Sequence, residues 1–215
     1  MAAAGLWPLV LAAHDVSRSD SVFLMQNSGT AVLAYLYLGA KHMVTGVDHL
    51  LYLAGVIFFV HRVREVALYA TLFALGHSTT LLVGVLGGVH ANPSLIDAVI
   101  GLSVAYKAFE NMGGFRPLGM QPDPRAAVVI FGLFHGFGLA TKLQSYNLAP
   151  DGLVINILSF NLGVELGQVV ALTVMLTLFT LWRRQGGFDR HAFAANWVLM
   201  TAGLVLMGIH LTEYF

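Results

Sequence analysis

The sequence predicts an all-α, polytopic transmembrane helix bundle. Three observations carry that prediction. Hydrophobic residues make up 57% of the chain and charged residues only 10%, against about 25% charged in a soluble domain. Mean hydropathy is +0.75. Several apolar runs reach the ~20 residues a helix needs to cross a bilayer. Residues 29–215 read as one transmembrane helical domain, preceded by an extracytoplasmic segment, 1–28. Basic and acidic residues balance at 11 each, so the chain has no electrostatic footprint for nucleic acid. Cysteine is absent. Disulfides and thiolate ligands are therefore excluded, and any metal must be held by His, carboxylate, amide, hydroxyl or backbone oxygen. The expected partner is the lipid bilayer, and association into a homo-oligomer is compatible with the same composition.

Taken in order, the N-terminal MAAAGLWPLVLAAHD is apolar but lacks a basic flank, which makes it a poor signal peptide. A short surface helix is the plain alternative. Asp15–Ser28 is polar enough to lie outside the bilayer. Gly29–Ala40 is apolar but only 12 residues long, too short to span, and predicts a short interfacial or re-entrant helix. Six spans follow, at roughly 42–61, 66–89, 94–112, 126–146, 152–182 and 192–212. The fifth is long enough to be tilted, or broken near Gly163 or Gly167. A GGFRPLGMQPDPR loop separates the third span from the fourth, and a turn at Asn147–Asp151 separates the fourth from the fifth.

Orientation follows from the basic residues. Arg62, Arg64, Arg116, Arg125, Arg183, Arg184 and Arg190 all fall in loops on one side, which the positive-inside rule makes cytoplasmic. Both termini then face outward. Each set of three spans holds a His in a Gly-rich helix, GHSTTL and FHGFGL. A repeat of three spans is necessarily inverted, an arrangement common in transporters.

Polar residues inside the spans are expensive and mark function by default. Asp48-His49 lies in the first span, His77-Ser78 in the second, His135 in the fourth, and Asn161 with Glu165 in the fifth. At ~1.5 Å rise per residue, the three histidines fall ~14–18 Å above the inner boundary and Glu165 ~21 Å below the outer end. All are near the middle of a ~30 Å core. Asn161, Glu165 and Gln168 are spaced to share a helix face. His42 and His49 share a face as well, but a straight helix separates them by ~10.5 Å. Either Gly46 breaks the helix, or His42 takes an outer vestibule position while Asp48 and His49 form the centre. The second is the expectation here. His14, His61, His90 and His191 fall at surfaces and read as solvated, and Lys107 is spaced to pair with Glu110.

At these residues the chain resembles the HupE/UreJ family of small bacterial membrane proteins. The matching pieces are His42-(five residues)-Asp48-His49 running into LLYL, GHSTTL at 76–81, FGLFHGFGLA at 131–140 and FNLGVELGQ at 160–168. The resemblance implies an inner-membrane permease linked to nickel or cobalt uptake. It makes His42, Asp48, His49, His77, His135 and Glu165 the expected metal ligands, with Ser78, Asn161 and Gln168 in support.

The leading expectation is thus a permease for a divalent transition metal, nickel first and cobalt second, since imidazole with carboxylate suits both. No nucleotide-binding loop is present. Proton exchange through the histidines would accompany transport. The alternative is an intramembrane zinc-dependent hydrolase of a lipid amide or ester, with three His, Asp48 and Ser78 around activated water. A b-type haem protein ranks third.

Overall fold

The computed structural model describes residues 29–146, 148 and 150–215. The expectations for residues 1–28 and the core of the Asn147–Asp151 turn lie outside the described residues. Among the described residues there are seven α-helices and no strands. They are α1 (Val32–Thr45), α2 (Val47–Ile57), α3 (Val63–Gly87), α4 (Pro93–Asn111), α5 (Pro124–Ser145), α6 (Leu153–Arg184) and α7 (Phe188–Tyr214). A 3-10 turn at Arg116–Leu118 shapes the loop after α4. Four helices, α3, α5, α6 and α7, are long and apolar enough to cross a membrane. α4 carries Asp97, Lys107 and Glu110 and is less apolar.

Helix boundaries follow from local chemistry. Proline opens α4 and α5, where its missing N–H is no loss. The Asn92 side chain accepts from Leu95 N at 3.2 Å and the Asp123 side chain from Arg125 N at 2.9 Å. Gly88 closes α3 at φ 62°, the left-handed conformation that glycine adopts without strain.

Two sequence expectations need correction. The apolar run from Gly29 onward is not a short element followed by a continuous span. It is partitioned at Gly46 into α1 and α2. The fifth span is not broken at Gly163 or Gly167, because α6 runs unbroken from Leu153 to Arg184. Those glycines act laterally instead, as seats for a neighbouring helix.

The bundle is built from three close helix pairs, α1 with α6, α3 with α5, and α4 with α7. Lipid supplies no hydrophobic drive for helix association, so close backbone approach must do the work. Glycine makes each approach possible. A Cβ at Gly163 would strike the Leu36 carbonyl, and one at Gly136 the His77 carbonyl. A Cβ at Gly101 would reach the Met207 backbone N at 2.5 Å.

α2 sits among α4, α6 and α7. At 11 residues it is shorter than the ~12–15 at which isolated helices become even marginal, so its neighbours must hold it. Arg183 donates to Val60 O at 3.0 Å and to the Ile57 and Phe58 carbonyls, satisfying acceptors that the helix end leaves open. Asn111 Nδ2 donates to Gly55 O and to Asn196 Oδ1, both at 2.9 Å. These clamps fix the depth at which Asp48 and His49 enter the bundle.

Candidate metal centre

The site starts from the break at Gly46. Thr45 and Val47 flank it, and their branched side chains lower helix propensity. Gly46 turns extended, with φ −68° and ψ 102°, while its N–H still bonds to His42 O at 2.8 Å. The extended residue cancels the two-turn separation expected of a straight helix. His42 and His49 rings meet edge-on with centroids 5.0 Å apart. The two-turn separation that motivated an outer-vestibule place for His42 is absent, since the helix break brings it beside His49.

Asp48 lies in the first turn of α2. A carboxylate there is favoured by the positive end of the helix dipole, which helps explain how it is tolerated in full burial. Asp48, His49, His77 and His135 are each 1% exposed or less. From the His49 ring, the centroid of His135 is 4.8 Å away and that of His77 5.7 Å. Asp48 Oδ2 lies 2.9 Å from His49 Nδ1 and 3.9 Å from His135 Nδ1.

One ligand atom from each of Asp48, His49 and His135 falls within 4.8 Å of the others. Two ligands bonded at ~2.1 Å to one ion stand at most ~4.2 Å apart. An inward closure of roughly half an ångström would thus bring the widest pair onto a common ion. Nε2 of His42, His49 and His77 is buried and makes no hydrogen bond among the described residues. Buried polar atoms are nearly always satisfied, so three unbonded imidazole nitrogens on adjoining rings fit a cation. Aromatic rings wall the cluster. Tyr52 and Phe73 each lie 5.2 Å from His135, and Phe160 lies 6.1 Å from His42.

The remaining expected residues fall elsewhere. Glu165 is exposed and accepts from Ser78 Oγ at 3.5 Å. Both line a lateral cavity of ≈ 360 Å³ between α3 and α6, with Thr71 and Gln168. The expectation that Glu165 shares one centre with the histidines rested on depth, which says nothing about helix face. Gly163 packs on α1, and Glu165 stands about 200° around the helix from it. Gln168 is buried and donates to Ala70 O at 3.1 Å, and Asn161 is buried with Oδ1 unbonded among the described residues. His61, His90 and His191 are exposed. Lys107 pairs with Glu110 at 2.9 Å.

Sequence reasoning missed Ser103. It is fully buried on α4 and bonds to His135 Nε2 at 3.1 Å. It also missed the Lys142–Asp97 ion pair at 3.0 Å, which ties α5 to α4. Asp97 inside an apolar run was a usable signal. Ser103 gave none, because serine is ordinary in membrane helices.

Imidazoles and a carboxylate buried together among long apolar helices form, among the described residues, a donor set that could hold a divalent metal within a membrane protein. Comparison with family models agrees: residues 18–215 match the model described as HupE / UreJ protein. The chain belongs to the HupE/UreJ family, a family of metal transporters. Comparison with curated proteins and with solved structures gives no match.

Proposed function

We propose that this protein is an inner-membrane permease for a divalent transition metal, nickel first and cobalt second. The metal is cargo, held in passage by Asp48, His49 and His135 with His42 and His77 beside them. The observation that carries the reading is the buried donor cluster, three of whose donor atoms lie within 4.8 Å of one another. Imidazole with one carboxylate suits nickel and cobalt, and a thiolate-free set does not favour soft ions. Glu165 serves the lateral cavity beside the path rather than the cluster.

The helix pairing also supports six spans in an inverted three-plus-three repeat, with α1–α2 crossing as one broken span. Gly39 of α1 seats on the Phe160 carbonyl of α6, and Gly132 of α5 seats on the Phe73 carbonyl of α3. A histidine follows three residues after each glycine, His42 and His135. Phe-x-Leu-Gly recurs at Phe73–Gly76 and Phe160–Gly163. The Phe160 ring meets His42 and the Phe73 ring meets His135. On this reading α1 corresponds to α5 and α3 to α6, so the two halves offer equivalent histidines to one ion. This differs from the pairing of GHSTTL with FHGFGL that the sequence suggests. With the arginine-bearing loops cytoplasmic, both termini are extracytoplasmic.

The lateral cavity is the observation that favours the hydrolase reading, because lipid could approach Ser78 and Glu165 there. Equilibrium dialysis of purified protein against nickel tests the binding claim and separates the two carboxylates. Wild type and Glu165→Gln should each bind one ion per chain, and Asp48→Asn should bind at least 100-fold more weakly. Equal binding by Asp48→Asn would refute the site. Zinc-dependent release of fatty acid by the same protein would favour the hydrolase.

A further inference from the structure

We infer that Ser103 is the positioning residue of the metal centre: it dictates that His135 presents Nδ1, not Nε2, to the ion. The inference rests on the proposed metal cluster for its purpose but not for its geometry. A serine hydroxyl has one proton to donate and two lone pairs to accept with. Ser103 Oγ lies 2.6 Å from Ile100 O and 3.1 Å from His135 Nε2. A carbonyl cannot donate, so the Ile100 contact consumes the only hydroxyl proton. The second contact is then a hydrogen bond only if His135 Nε2 carries the proton and Ser103 accepts it. The two lengths agree with this assignment, since O–H···O bonds cluster near ~2.7–2.8 Å and N–H···O bonds reach ~3.2 Å.

The consequence is local and specific. A neutral imidazole protonated at Nε2 has its lone pair on Nδ1. Nδ1 is the His135 atom that lies 3.9 Å from Asp48 Oδ2, on the cluster side of the ring. Ser103 therefore fixes both the tautomer and the ring plane, the two features that an outer partner sets for a ligating histidine. Its own position is fixed in turn. Ser103 is fully buried, and α4, its helix, is joined to the His135 helix by the Lys142–Asp97 ion pair.

Two readouts test the inference. Nitrogen NMR of histidine-labelled metal-free protein, with His135 assigned by loss of its signals in His135→Gln, should show Nε2–H in the wild type. In Ser103→Ala the tautomers should mix or invert. Nickel titration should show Ser103→Ala weakened roughly 10–100-fold, the usual effect of losing an outer-sphere partner, and Ser103→Thr restored to within about threefold, the hydroxyl being what matters. A wild-type His135 protonated at Nδ1, or a tautomer unmoved by Ser103→Ala, would overturn it. Unchanged nickel affinity in folded Ser103→Ala would do the same. The NMR result is independent of nickel, so a failure of the permease reading would leave it standing.

Discussion

Gly46 is the residue on which the site turns. Its φ of −68° is open to any amino acid, so its requirement is spatial. An added Cβ would lie 3.0 Å from His42 O, 3.1 Å from His49 Nδ1 and 3.3 Å from Asp48 Oδ1. Three neighbours would each have to yield by a few tenths of an ångström, and two of them are donors. We expect Gly46→Ala to fold and to lose nickel affinity by roughly tenfold, about 1.4 kcal/mol, as read by titration of purified protein. An unchanged affinity would show that the turn has slack. At this scale the sequence was partly legible. His49, His77 and His135 stood out because ionisable groups are costly in apolar runs. The break at Gly46 was one of two readings left open and not the preferred one, since periodicity across Lys41–Leu53 allows a straight helix as readily as a bent one. Ser103 gained its role only when α4 packed on α5.

At the scale of helices, the seams are glycine, and the seats differ in a testable way. A Cβ at Gly136 would run into the His77 carbonyl, which is helix backbone and cannot swing aside. α3 and α5 would have to separate, so Gly136→Ala should destabilise by roughly 1–3 kcal/mol, the usual cost of overpacking. Gly208 on α7 has nothing within 4 Å of its Cβ position. Gly208→Ala should be neutral or stabilising by up to about 1 kcal/mol, the helix propensity difference. Thermal unfolding of both variants in detergent checks the contrast, and equal stabilities would contradict the account of the seams. The four long apolar helices, α3, α5, α6 and α7, were readable from hydropathy, because length and apolarity mark a span, whereas the division of the first apolar run into α1 and α2 was not. Nor was the pairing of the helices. Depth placed Glu165 with the histidines, whereas the face that Gly163 presents to α1 turns Glu165 outward, toward Ser78.

At the scale of the whole molecule, His42 and His135 each lie three residues after a seated glycine and meet a phenylalanine ring, but their helices differ. α1 stops at Gly46 and α2 resumes at Val47, while α5 runs unbroken past His135 to Ser145. On the proposed inverted repeat, rocking of one half against the other around a fixed site would give alternating access, and the cluster between the halves is where an ion would pass. The central claim is that this cluster carries a transition metal across the bilayer. The direct measurement is uptake of radiolabelled nickel by proteoliposomes holding purified wild type or His135→Gln at matched protein levels. Saturable uptake by the wild type, inhibited by excess cobalt and reduced at least tenfold in His135→Gln, is the predicted result. Uptake that is equal in the two, or no greater than in empty liposomes, would contradict the claim.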